Sequence, residues 1–187
     1  SSPNKQSPLD PIPTWLLKKI GNNIADFLTH VFNRSLQNGF VPKSFKSAVI
    51  TPLLKKDGLD CDELSNFRPI SNVSMLSKML ERLVSSRLND HLDVIGTLPS
   101  VQSAYRRQFS TETALTKVVS DLLMAADQGN VSPLALLDLS AAFDTVDHSV
   151  LLQRLSVSHN ITGSAHAWFE SYLQQRFQSV RYDDTTA

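Results

Sequence analysis

The stretch Leu136-Leu137-Asp138-Leu139-Ser140-Ala141-Ala142-Phe143-Asp144-Thr145-Val146-Asp147-His148 sets a carboxylate directly after an apolar run and a large ring five residues later. A carboxylate held at the end of a rigid support can bind a hard divalent cation through oxygen, the donor magnesium prefers. Ser140, Ala141 and Ala142 are small, so a ligand could approach the backbone before bulky Phe143. The same residues also fit a plain structural role, with Asp138 or Asp144 capping the next helix and Phe143 in the core. Other chemistry finds less support. Five histidines and one cysteine show no zinc-ligand spacing, and His159 and His166 stand too far apart to share a metal on one helix face. Neither a nucleophile elbow nor a glycine-rich phosphate loop occurs. Trp168, Phe169 and Tyr172 read as core rather than as a base-stacking platform.

Several elements must position these groups. The apolar run Pro133 to Leu137 predicts a buried strand that ends at Asp138. Upstream, Ser110 is a candidate N-cap for a helix that buries Leu115, Val118, Val119, Leu122 and Leu123 and ends at Gly129. An irregular basic stretch around Tyr105-Arg106-Arg107 precedes it. Met75, Leu76, Met79, Leu80, Leu83, Val84 and Leu88 describe the most regular helix in the chain. Ala48 to Leu54 and Asn66 to Ser71 read as two strands joined by a polar connection containing Asp57-Gly58. A proline in each suits edge strands or a mobile hairpin better than a sheet centre. The opening PIPTWLLKKI starts helix-like, and a second helix follows on Ile24, Phe27, Leu28, Val31, Phe32 and Leu36, stopped by Gly39 with Pro42 beyond. The remainder of the chain after Asp138 reads as helical to about Phe177, with Trp168, Phe169, Tyr172 and Leu173 on one stripe. Helices and strands mix without βαβ alternation, which predicts an α+β fold.

Composition bounds the answer. The chain has 187 residues, 41% hydrophobic and 19% charged, which suits one domain or little more. No run approaches the roughly 20 apolar residues of a membrane span, so no membrane partner is expected. A single cysteine, Cys61, cannot form an internal disulfide. The start, SSPNKQSPLD, lacks an initiator Met and a signal peptide's apolar core, and reads as cut from a longer polypeptide. The zero net charge conceals 14 Lys+Arg against 9 Asp+Glu up to Phe109, and 4 against 9 thereafter. That asymmetry is compatible with an anionic partner in front and a cation site behind. On charge alone, chance variation of a soluble surface is the simpler account.

The 136–148 stretch resembles motif A of reverse transcriptases, in the form found in non-LTR, LINE-type retrotransposons. Three further segments agree in order. Asn66-Phe67-Arg68-Pro69-Ile70-Ser71 is similar to the family's (Y/N)xRPIS segment in the fingers. Gln102 to Leu115, QSAYRRQFSTETAL, is similar to its QxGF…ST…AL stretch, with Ala104 at the usual glycine and Tyr105 at the usual Phe. Ser7 to Lys19 resembles the segment that precedes the fingers in elements of this type. The resemblance implies a right-hand polymerase fold: a fingers region over 1–130 and a partial palm over 131–187, with an incomplete palm sheet. It implies RNA-directed DNA polymerase activity with Mg²⁺, or Mn²⁺, on an RNA template and DNA primer with deoxynucleoside triphosphates.

By the same resemblance, Asp138 is the catalytic metal-binding carboxylate and Phe143 the ring that disfavours a 2′-hydroxyl. Leu139 offers backbone to the nucleotide, and Arg68 contacts the triphosphate, where a guanidinium forks onto phosphate oxygens. Lys55 or Lys56, on the opposing arm of the hairpin, adds a second charge, and Arg106 and Arg107 contact nucleic acid. Asp144 and His148 read as structural. The family's PQG segment and its (F/Y)xDD turn do not occur, and Tyr182-Asp183-Asp184 is rejected as a substitute because no residue separates Tyr from the Asp pair. A two-metal site needs more than one aspartate. The chain alone is therefore expected to be inactive, with sheet edge and apolar surface exposed and marginal stability or self-association. As part of a retrotransposon polyprotein it is expected to be intracellular and nuclear. Two rivals stand beside this reading: a non-catalytic relic that binds RNA or RNA–DNA duplex, and a degenerate product that does not fold.

Overall fold

The computed structural model describes residues 7, 9–139, 142–182 and 185–186. Five helices and a four-stranded sheet make up the described α+β fold, in the order α1 (Thr14–Gln37), β1 (Ser47–Leu54), β2 (Phe67–Val73), α2 (Met75–Ile95), α3 (Thr111–Asp127), α4 (His148–Val157), α5 (Gly163–Leu173), β3 (Phe177–Tyr182) and β4 (Thr185–Thr186). Two compact units divide the chain: Ser1–Ser86 with His148–Ala187, and Arg87–Asp147.

The first unit holds the core. Along α1 the apolar stripe Leu28, Val31, Phe32 and Leu36 repeats at helical spacing and faces Leu80 of α2 and Trp168 of α5, with Val41 closing the cluster. Ser35 interrupts the stripe at no cost: its hydroxyl donates to the Phe40 carbonyl (2.6 Å) and accepts from the Trp168 indole N–H (3.1 Å). The two helices expected before Gly39 are one continuous 24-residue helix. Gly21 within it meets nothing within 4 Å and costs propensity without breaking the helix. Gly39 ends the helix at φ +60. The first turn of α2 is capped twice, by Ser74 Oγ accepting from Ser77 N–H (3.2 Å) and by Asp10 Oδ1 accepting from Met75 N–H (2.6 Å).

The sheet runs β2-β1-β3-β4. β1 pairs antiparallel with β2 from Ala48↔Val73 to Leu54↔Phe67, and parallel with β3 only over Ser47–Ile50. The expectation of two edge strands thus holds for β2 and is corrected for β1, which is interior at its root. The prolines explain how. The bond from Lys55 N–H to the Asn66 carbonyl (2.9 Å) sets the ladder's alternation, so Pro52↔Pro69 falls on a non-hydrogen-bonded pair. Pro52 also lies past the end of the β3 pairing, so its missing N–H costs neither ladder a bond.

The second unit departs most from expectation. Ser110 does cap α3, in a reciprocal capping box with Thr113. However, Leu115, Val118, Val119 and Leu123 are exposed rather than buried. Residues 133–137 form no strand, and Leu137 is 95% exposed. The reason is shared: an amphipathic face or an apolar run needs a second layer or a neighbouring strand, and the described residues of this unit provide neither.

Candidate nucleotide and nucleic-acid site

Strand alternation assigns the hairpin's faces. Arg68 lies opposite Leu53, so Arg68 shares its face with Lys55, two residues further along the opposing arm. Of the two lysines expected to supply a second charge, Lys55 is the one on the Arg68 face. The Lys55 ammonium donates to the Ser65 carbonyl (2.6 Å), which ties the hairpin tip together. Arg68 and Lys56 are exposed. The connection between them is built from local turns: Gly58 at φ +81, Asp60 Oδ1 accepting from Asp62 N–H (2.9 Å), and Asn66 Nδ2 donating to the Asp60 carbonyl (3.0 Å). A guanidinium and an ammonium on one face of an exposed hairpin can neutralise an extended anion such as a polyphosphate.

In the second unit, Asp138 and Leu139 are exposed on an irregular segment instead of terminating a buried strand. Ser140 and Ala141 lie outside the described residues. Phe143 is 77% exposed, so the core role is excluded, and its ring meets Tyr105 edge-on at 6.5 Å. Thr145 Oγ1 donates to the Ala142 carbonyl (3.3 Å) and closes the turn that carries Phe143 and Asp144. Asp144 is exposed, and His148 begins α4.

The basic stretch is irregular as expected, with Tyr105 at φ 61 and Gln108 at φ 66, both in the left-handed region. Arg106 is half-buried and holds its own loop. Its guanidinium donates to the Pro99 carbonyl (3.2 Å) and lies 4.9 Å from the centre of the Phe109 ring. Arg107 pairs with Asp90 at 2.9 Å on the surface. Of the two, Arg107 is the more available to a ligand, since an exposed pair exchanges partners at little cost.

Residues that sequence reasoning missed lie in the first unit. Lys46 is buried, at 5% exposure, and its ammonium donates to Ser171 Oγ (3.3 Å). Burial lowers its pKa from the ordinary lysine value, and the positive charge of Arg176 lowers it further. Tyr172 donates to Glu81 (2.8 Å), and burial followed by that hydrogen bond raises its pKa. Only the charge of the 43–46 segment was visible in the sequence; its pairing with residues 171–177 was not. Trp168 is in the core, as read. His159 and His166 do not share a helix: His166 is in α5, while His159 lies between α4 and α5. Asp183 and Asp184 of the rejected Tyr-Asp-Asp segment lie outside the described residues.

The donors can be held against a metal's needs. Among the described residues no group of three His, Cys, Asp or Glu side chains could hold an ion. Asp138 contributes one carboxylate, which does not by itself make a two-metal centre.

The arginine hairpin of RPIS sequence and the exposed Asp with an aromatic residue five positions on both fall within one stretch that matches a known family. Residues 53–186 match the family described as reverse transcriptase (RNA-dependent DNA polymerase). The chain belongs to that family, in its non-LTR, LINE-type branch. It is similar to a probable RNA-directed DNA polymerase from transposon BS of Drosophila melanogaster, 31% identical over 182 residues. It is likewise similar to the RNA-directed DNA polymerase from mobile element jockey of Drosophila melanogaster, 33% identical over 182 residues. In each case 97% of this chain is covered but 20% of the relative. The jockey polymerase of Drosophila funebris is 32% identical over 154 residues, covering 81% of this chain and 16% of the relative. The chain thus spans about a fifth of the length of the curated relatives it matches. Reverse transcriptases as a family use divalent metal ions.

Proposed function

We propose that residues 1–130 are the fingers region and 131–187 the first part of the palm of a retrotransposon reverse transcriptase. The whole enzyme extends a DNA primer on an RNA template from deoxynucleoside triphosphates. The observation that carries this reading is the family match over 53–186, which includes both the Arg68 hairpin and the 138–143 segment. In this reading Arg68 and Lys55 receive the triphosphate from one hairpin face, with Lys56 beside them at the tip. Asp138 supplies a metal-binding carboxylate, Leu139 offers backbone to the nucleotide, and Phe143 crowds the sugar's 2′ position. Arg107, and Arg106 through the loop it holds, face the nucleic-acid backbone. Magnesium, or manganese in its place, is the cation of the whole enzyme, which in this reading acts in the nucleus. The hairpin's part rests on charge: a guanidinium stays protonated through the pH range of catalysis and offers paired donors to phosphate oxygens.

A chimera tests it. The matched segment of the jockey polymerase is replaced by this chain, and primer extension is followed on an RNA template. Asp138→Asn should reduce extension by a hundredfold or more, since metal-borne charge stabilisation contributes about several kcal/mol. Asp144→Asn should leave it within a few-fold. Should Asp138→Asn extend as well as the parent chimera, the catalytic assignment is wrong and a non-catalytic nucleic-acid-binding role replaces it.

A further inference from the structure

One surface of the first unit carries cations and aromatic rings that the polymerase reading leaves unused. It is made by two turns. At the end of α1, Gly39 crosses α5 so closely that a Cβ there would lie 2.8 Å from Ala167 Cβ and 2.9 Å from the Ser164 carbonyl oxygen. The turn sends Val41 into the core and leaves the next ring, Phe40, 56% exposed. At the end of α5, Gln175 takes a left-handed φ of 51 and returns the chain to Arg176 and to Phe177, which is 51% exposed. The two segments are pinned together. Val41 N–H donates to Ser171 Oγ (3.0 Å), and Phe177 N–H donates to the Lys46 carbonyl (3.2 Å).

On this scaffold three cations each sit against a ring. Lys43 Nζ is 5.2 Å from the centre of Phe177, Lys46 Nζ 5.6 Å from Phe40, and Arg176 Cζ 4.5 Å from Tyr172. Residues 40–47 and 171–179 contain no Asp or Glu. Two carboxylates border the patch and are held by neutral donors, Glu81 by the Tyr172 hydroxyl and Glu170 by Gln174 Nε2. Burial lowers the Lys46 pKa, and the positive charge of Arg176 lowers it further. Three cations and two exposed rings on one surface therefore favour an anion that also carries flat apolar groups.

We propose that Phe40, Lys43, Lys46, Arg176 and Phe177 form a binding site for single-stranded nucleic acid, separate from the hairpin. Phosphates take the charges of Lys43 and of Arg176, whose guanidinium is oriented by donating to the Tyr172 carbonyl (3.2 Å). Bases stack on the ring faces of Phe177 and Phe40, and buried Lys46 adds a fixed charge beneath. A free phosphate or an acidic peptide would use the charge and waste the two exposed rings, whereas a nucleic-acid strand uses both. The choice of nucleic acid as the anion rests on the family reading.

The test is fluorescence anisotropy of the full chain with labelled oligo(U) and, separately, oligo(dT), over a range of salt concentrations. Phe40→Leu and Phe177→Ala should each weaken binding roughly tenfold, the scale of one lost base stack, with the salt slope unchanged. Lys43→Gln with Arg176→Gln should lower the log–log salt slope by about 1.4, since each single-strand phosphate contact contributes about 0.7. Tryptophan emission, with buried Trp168 blue-shifted against the exposed Trp15, checks that each variant is folded. The two probes decide whether RNA or DNA is preferred. Unchanged affinity and slope in all these variants, no binding by the parent chain, or equal displacement by polyglutamate would each overturn the proposal. Labelled deoxynucleoside triphosphate binding that is lost in Arg68→Ala, alongside oligonucleotide binding indifferent to the patch, would sink this site and leave the polymerase reading standing.

Discussion

Tyr172 shows how much a single phenol can hold. Its ring stacks on Trp168 at 5.3 Å and 10°, the Arg176 guanidinium lies 4.5 Å from the ring centre, and its hydroxyl donates to Glu81 of α2. Burial and then the Glu81 bond both favour the neutral phenol, so the folded pKa lies above the ordinary 10.0. The sign follows from proton counting: above pH 10 the folded chain holds more protons than the unfolded one, so stability falls as pH rises through the folded pKa. Below pH 10 this contribution is fully present. Tyr172→Phe should therefore cost about 1 kcal/mol at neutral pH, the net value of one hydrogen bond. At about pH 11 the gap between variant and parent should shrink, because only the parent's phenol ionises there. Lys46 has a lowered pKa and gains stability with rising pH up to its unfolded value, but it is present in both chains and cancels from the difference. Urea titrations of the two proteins at the two pH values measure it, and a gap that stays constant would mean the phenol's environment is misassigned.

Among the elements, the passage of α1 across α5 is the most constrained feature of the first unit, and two glycines of the same helix region separate its causes. Gly39 combines a left-handed φ of +60 with atoms already at 2.8 and 2.9 Å from a would-be Cβ. Gly39→Ala should cost about 2–4 kcal/mol, adding left-handed strain to overpacking against α5. Gly21 is helical with open space around it, so Gly21→Ala should stabilise by about 0.5–1 kcal/mol. Thermal melts of the two variants give opposite signs; a mild effect at position 39 would mean that α1 and α5 pack more loosely. Much of this level was legible in the sequence, because helical period, caps and the Gly39 stop are local. The hairpin was legible for the same reason. What was not legible depended on partners. The pairing of β1 with β3 joins residues some 130 positions apart, and neither Pro52 nor Phe177 signals it. The apolar pattern of 115–123 and of 133–137 announced burial, yet no pattern can say whether a covering layer is present. The candidate site divided likewise: RPIS and Asp138 to Phe143 were readable as motifs, while the Lys46–Ser171 contact and the choice of Lys55 over Lys56 needed the fold.

At the scale of the molecule, the two units differ in kind. Every buried residue among those described belongs to the first unit, and none lies in Arg87–Asp147. The second unit instead exposes Leu115, Val119, Leu123 and Met124 along a shallow groove of α3, and Val131, Leu136 and Leu137 beyond it. A helix of 17 residues without tertiary cover is marginal in water, even with the Ser110 capping box. Native-state hydrogen exchange should accordingly find slow amides in α1, β1 and α5 and fast ones throughout 111–139, the first set reporting global unfolding and the second local opening. The same exposed leucines make association the cheapest way to hide apolar surface. Sedimentation velocity should show concentration-dependent species that Leu136→Lys with Leu137→Lys shifts toward monomer, while the slow amides of the first unit are unchanged. A monomeric parent with protected amides across 111–139 would show that the second unit finds its own cover, and that the polymerase reading must seek the palm's partner strands within this chain.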